Sequence, residues 1–167
     1  MDMPDDSKAE IVNDVPVGLE RGLPNYWYPV LQSEEVKSGQ PWSFRVMGQN
    51  LVAWRDADDH PRIVLDRCPH RNAKLSLGHV IGGDLQCALH GIRFNHKGQC
   101  VRIPWEPDQT SLLGKIQVTA YTTRELGGYI WAYLGDENRF PAPRLEDELP
   151  EELSAIPAVK PGSRGLQ

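Results

Sequence analysis

Apolar residues along this chain come in short runs separated by Gly, Pro, Asn and Asp, with no sustained helical period. That pattern predicts strands. The first spans 25–31, an aromatic stretch in which Pro29 marks an edge or a bend. Residues 43–47 and 51–54 flank the turn signal Gly48-Gln49-Asn50 and read as a hairpin. Residues 62–66 form another strand, running straight into Cys68. A second hairpin is predicted from 79–81 and 84–87, because the intervening Gly82-Gly83 suits a two-residue turn that needs positive φ. Further strands are expected at 92–94, 99–103, 115–122 and 128–134, and 108–113 carries the one hint of a helical turn. Many short strands joined by Gly and Pro turns imply an all-β antiparallel sandwich or barrel.

Charge divides the chain. Residues 1–20 contain six acids and one lysine, net −5, which is the whole formal charge of the protein. Residues 1–22 are therefore expected to be an acidic mobile tail, 23–140 the folded domain, and the Pro-rich, acidic stretch 141–167 a linker or tail. No apolar run reaches membrane-spanning length, and the N-terminus lacks the basic and apolar regions of a secretory signal, so a cytoplasmic location is expected. No basic tract or basic helix points to nucleic acid.

The three cysteines, Cys68, Cys87 and Cys100, are too few for a disulfide scaffold. Two of them stand beside histidines: Cys68-Pro69-His70 and Cys87-Ala88-Leu89-His90, with 16 residues between the pairs. Two thiols and two imidazoles in Gly-framed loops fit a two-iron, two-sulfide cluster. Thiolates would neutralise one iron, and imidazoles on the other would raise the reduction potential. Gly78, Gly91 and Gly98 would let the backbone pass close to it. Between Arg67 and Arg102 lie six basic residues (Arg67, Arg71, Lys74, Arg93, Lys97, Arg102) against the single acid Asp84. That balance favours thiolate formation and an acidic redox partner. A zinc site remains an alternative, although Cys-x-His is shorter than the usual zinc spacing. A thiol nucleophile with a histidine base would use only half of the constellation. Cys100 is expected as a small buried residue, His60 at the surface, and His79 and His96 in polar loops near the ligand pairs. Trp27, Trp42, Trp54, Trp105 and Trp131 read as core or rim packing.

The segments Leu23-Pro24-Asn25-Tyr26-Trp27-Tyr28-Pro29-Val30, Asp66-Arg67-Cys68-Pro69-His70-Arg71, Leu75-Ser76-Leu77-Gly78, Leu85-Gln86-Cys87, His90-Gly91 and Gly98-Gln99-Cys100-Val101-Arg102-Ile103-Pro104 resemble the N-terminal Rieske domain of Rieske non-haem iron oxygenases. The resemblance is strongest to the phthalate-dioxygenase and vanillate-demethylase-like branch and covers about residues 23–145. It implies an all-β Rieske fold with two cluster-binding loops, Cys68 and Cys87 on the inner iron, and His70 and His90 on the outer. High-potential Rieske proteins carry two extra loop cysteines and a hydroxyl donor. Those positions correspond to Ala73, Leu89 and Ile92, which implies a low-potential cluster.

The second loop departs from the family's frequent Cys-Pro-Tyr-His-Gly-Trp, reading Cys-Ala-Leu-His-Gly-Ile. Family members also carry a mononuclear Fe(II) on two histidines and a carboxylate, whereas no histidine follows His96 here. The chain is accordingly expected to relay single electrons from a reductase or ferredoxin to a catalytic domain or subunit supplied elsewhere, in an oxygenase that the resemblance makes a homotrimer. By itself it is expected to be inactive as an oxygenase. A free-standing Rieske ferredoxin is the alternative.

Overall fold

The computed structural model describes residue 23, residues 25–106, residue 113, residues 115–137 and residues 139–149. The expected acidic tail 1–22, most of the helical turn 108–113 and the end of the Pro-rich stretch lie outside the described residues. The described residues form an antiparallel β fold with eleven strands. These are β1 (Trp27–Gln32), β2 (Trp42–Val46), β3 (Gln49–Arg55), β4 (Pro61–Leu65), β5 (His79–Ile81), β6 (Asp84–Gln86), β7 (Arg93–Phe94), β8 (Cys100–Arg102), β9 (Ala120–Tyr121), β10 (Thr123–Leu126) and β11 (Tyr129–Tyr133). One short helix, α1 (Leu145–Glu148), follows. The strands make three sheets, ordered β1-β11-β10, β2-β3-β4-β9 and β5-β6-β7-β8.

The layering follows from the sequence of β3. Its run Leu51-Val52-Ala53-Trp54 is apolar on both faces and wholly buried, the pattern of a strand covered on each side. Alternate residues point opposite ways. Leu51 and Ala53, with Ile63 of β4, join Leu31, Ile130 and Ala132 of the β1-β11-β10 sheet in one core. Val52 and Trp54, with Val64 of β4, join Leu85, Phe94 and Cys100 of the β5–β8 sheet in the other. The four-stranded sheet led by β2 is thus the middle layer. Strands β4 and β9 are neighbours in it, and Leu65 N donates to Thr119 O at 2.8 Å. Everything from Asp66 to Thr119 therefore leaves and re-enters the middle sheet at one place.

Both predicted hairpins form. The first turns at Met47-Gly48, ahead of the expected Gly48-Gln49-Asn50, with φ +48° and +74°. The second turns at Gly82-Gly83 with φ +63° and +88°, the left-handed pair a tight hairpin requires. The strand expected over 115–122 is different. Only Ala120–Tyr121 is a strand there, paired with β4, while β10, unforeseen, pairs with β11. Thr122 is the corner where the chain changes sheet. Thr123 Oγ1 fixes it by donating to Pro61 O at 2.6 Å. The apolar alternation of Ile116, Val118 and Ala120 gives way there to the polar run Thr122-Thr123-Arg124-Glu125, which carries no strand signal for β10.

Two contacts close the outer layer. Arg55 of β3 is 7% exposed and meets the Glu125 carboxylate of β10 with two nitrogens at 2.8 and 3.0 Å. The remaining guanidinium donors go to the carbonyls of Ser33, Val36 and Asp59. The Arg55 hydrogen bonds hold the Glu125 carboxyl below the usual range despite its desolvation. Residues 139–149, of which 141–149 were expected as the start of a linker or tail, lie on the body. Trp27 Nε1 donates to Pro143 O at 2.9 Å, and Leu145 is fully buried.

Candidate metal centre

The site is built from two loops with the same backbone design. In the first, Cys68 N donates to Ala73 O and Asn72 N donates back to Cys68 O, both at 2.8 Å. In the second, Cys87 N donates to Ile92 O at 2.8 Å and Gly91 N to Cys87 O at 2.9 Å. The offsets from each cysteine are identical. In each loop the residue four positions on takes the left-handed conformation, Asn72 at φ +57° and Gly91 at φ +71°. Asn is among the few non-glycine residues that accept that region, and Arg67 Nε steadies it by donating to Asn72 Oδ1 at 2.6 Å. Gly91 is further constrained, since a Cβ there would stand 3.0 Å from Pro104 Cγ.

The strands feeding the loops fix their relation. Directly after β4 comes Asp66, whose carboxylate accepts from Ser76 N and Ser76 Oγ, each at 2.7 Å, drawing the far side of the first loop back to its start. β6 delivers Cys87 directly. Cys68 and Cys87 are 2% and 1% exposed, at the top of the core shared with Leu75, Leu85 and Ile92. His70 is exposed and His90 half-buried, with their rings 4.8 Å apart between centroids. Four donors thus form a graded set, two sulfurs inside and two imidazoles at the rim. Such a set could hold an iron–sulfur cluster. Burial pushes the Cys68 thiol up to about 11. The amides of His70 and Arg71 pull against that shift by donating toward the sulfur, while the neighbouring Cys87 thiol adds to it. An inserted cation would displace that proton.

The other sequence-level candidates separate from the site. Cys100 is buried as expected, its thiol 3.7 Å from Arg102 O, and desolvation raises it. His60 lies at the surface in a turn with Asp56 and Asp58. The Asp56 carboxylate there is already engaged by Arg62 at 2.6 Å and by the amides of Asp58 and His60. His79 and His96 are exposed. Arg67, Arg71, Lys74, Lys97 and Arg102 are exposed, and Arg93 is half-buried with its Nε on Gln86 Oε1. Among the tryptophans Trp54 is core, whereas Trp105 is half-exposed and stands 5.5 Å from the His70 ring and 5.9 Å from the His90 ring. No local signal marks it, because only the folding of the 99–105 segment over the second loop brings it there.

Among the described residues no helix is long and apolar enough to cross a membrane. Residues 26–121 match the family model of the Rieske [2Fe–2S] domain. The chain is 33% identical over 164 residues to the 3-chlorobenzoate-3,4-dioxygenase oxygenase subunit of Comamonas testosteroni, a match covering 93% of this chain and 38% of that protein. It is 35% identical over 135 residues to the phthalate 4,5-dioxygenase oxygenase subunit of Pseudomonas putida, covering 80% and 30%. Among solved structures, the oxygenase in a ferredoxin complex of carbazole 1,9a-dioxygenase superposes with a TM-score of 0.70 at 29% identity, covering 83% of this chain and 36% of that one. The chain therefore spans about a third of the length of these relatives. With the fold, the paired loops and this match in agreement, the chain belongs to the Rieske [2Fe–2S] domain family, whose members bind a [2Fe–2S] cluster.

Proposed function

We propose that Cys68, His70, Cys87 and His90 hold the cluster and that the chain is the electron-transfer domain of a Rieske oxygenase. The observation that carries this reading is the pair of matched loops, which sets two thiols inside and two imidazoles at the surface. When bound, the cluster supplies one-electron storage. The chain's own residues do the rest. Cys68 and Cys87 anchor the buried side, and the amides of His70 and Arg71 stabilise charge on the Cys68 sulfur. His70 and His90 carry the exposed side, where a partner can approach within tunnelling reach. The exposed Arg67, Arg71 and Lys74 of the first loop region suit an acidic face on a ferredoxin or reductase.

The receiving centre in this reading is a mononuclear iron in an oxygenase catalytic domain or subunit outside these 167 residues, the whole assembling as a homotrimer. Hydroxylation or demethylation would occur there. Three unpaired thiols fit a reducing compartment such as the cytoplasm. Ala73 and Leu89 cannot form an inter-loop disulfide, and buried Ile92 offers no hydroxyl to a sulfide, so the cluster is of the low-potential kind.

The test is reconstitution of the chain with iron and sulfide, followed by metal and sulfide analysis, visible absorption, electron paramagnetic resonance and a redox titration. The expected product is coloured, with about two irons and two sulfides per chain. Its midpoint should lie toward the low end of the Rieske range, near about −150 mV. C68S and C87S should abolish the cluster. A colourless zinc protein, or full loading of C68S, would defeat the reading. A midpoint well above about 0 mV would defeat the low-potential part of it. Substrate turnover by this chain with reductase alone would defeat its role as a relay.

A further inference from the structure

We propose that Trp105 is a positioning residue for the redox site, an indole packed against both ligand imidazoles that screens part of the histidine end from water and so holds the reduction potential down. The inference rests on the ligand reading above. The indole meets the His90 ring nearly edge-on, at 77°, and lies tilted by 37° to the His70 ring. It is thus the described side chain in ring contact with both loops at once. Its backbone is not free to drift. Ile103 is 1% exposed in the core beneath the loops, Glu106 N closes a turn onto Ile103 O at 3.2 Å, and Pro104 stands against Gly91. The segment carrying Trp105 is therefore a third wall of the site, seated on the second loop beside His90. The indole is 47% exposed, so its inner face covers the imidazoles while its outer face meets solvent.

The direction of the effect follows from charge. Two iron(III), two sulfides, two thiolates and two neutral imidazoles sum to zero. One added electron makes the group an anion. Hydration favours the anion, so a cover that excludes water disfavours reduction. Trp105→Ala opens the imidazole edges to water and should raise the midpoint.

The experiment is redox titration of the reconstituted chain and its Trp105→Phe, Trp105→Leu and Trp105→Ala variants, with iron content and thermal melting measured in parallel. The Ala variant should shift the one-electron equilibrium three- to tenfold toward the reduced form, the upper value corresponding to about 59 mV. The Phe variant should stay within twofold of the parent, and Leu should fall between. Iron content should stay constant across the series. An unchanged or lowered midpoint in a fully loaded Ala variant overturns the proposal. If the Ala variant does not load, the order of Phe and Leu decides it: Leu at or below Phe overturns it. Absence of a Rieske signal in the parent protein would instead refute the ligand reading, so the two failures are distinguishable.

Discussion

Removing the Asp66 carboxylate should unfasten the first ligand loop. Asp66 is 7% exposed, and both of its oxygens are used by Ser76, one by the amide and one by the hydroxyl. A hydrogen bond to a charged acceptor contributes about 1.5–3 kcal/mol. The two bonds share one residue and are not independent, so Asp66→Ala should cost about 3 kcal/mol rather than twice the upper figure. Asp66→Asn keeps one acceptor without the charge and should cost about 1.5 kcal/mol. Ser76→Ala removes the hydroxyl bond alone and should cost about 1.5 kcal/mol. Urea denaturation followed by circular dichroism measures all three, and a cycle with the double variant isolates the shared term. Iron content after reconstitution should fall in Asp66→Ala, since the segment between Asp66 and Ser76 contains Cys68 and His70. A loss below about 1 kcal/mol, or strict additivity in the double variant, would refute the fastening role.

Gly78→Ala should prevent normal folding, because its Cβ would be driven into the carbonyl oxygen of Gln86 just before Cys87, and a protease-resistance assay should report an open domain. Gly91→Ala should be milder, a loss of about 1–2 kcal/mol from the left-handed backbone, read from a shifted urea midpoint. The Glu125 carboxyl titrates lower in the folded chain than in the unfolded one, so its stabilisation is complete above the ordinary value of 4.5 and drains away as pH falls below it. Glu125→Gln should therefore be less stable at neutral pH and show a flatter acid limb in a stability–pH profile. A slope identical to that of the parent would count against the Arg55–Glu125 pair.

How far the sequence reached depended on the range of the signal. The four ligand candidates stood out because Cys-x-His and Cys-x₂-His are local patterns; in the structure Cys68 and Cys87 share one buried core and the His70 and His90 rings lie 4.8 Å apart. The Gly82-Gly83 hairpin was legible for the same reason, since turn chemistry is local. The strand expected over 115–122 was legible only in part, because Ile116, Val118 and Ala120 alternate as in a strand while the pairing passes from Gln99 at Gln117 to β4 at Ala120, and the polar run Thr122-Thr123-Arg124-Glu125 conceals β10. Trp105 was read with the other tryptophans as packing, and its place over the imidazoles depends on a segment returning across the second loop. Asp66 sits in the recognised segment before Cys68, yet nothing local announces that its partner is Ser76, ten residues on.

The single exit and re-entry point on the middle sheet gives the molecule a modular character. Asp66 to Thr119 is a cassette whose two ends are held one hydrogen bond apart by strands that pair regardless of what lies between them. Its underside seats on Val52, Trp54 and Val64. The exposed side chains around the two loops, such as Arg71, Lys74 and Leu89, meet no part of that seat, so the partner the domain greets can be rewritten without disturbing the frame that carries it.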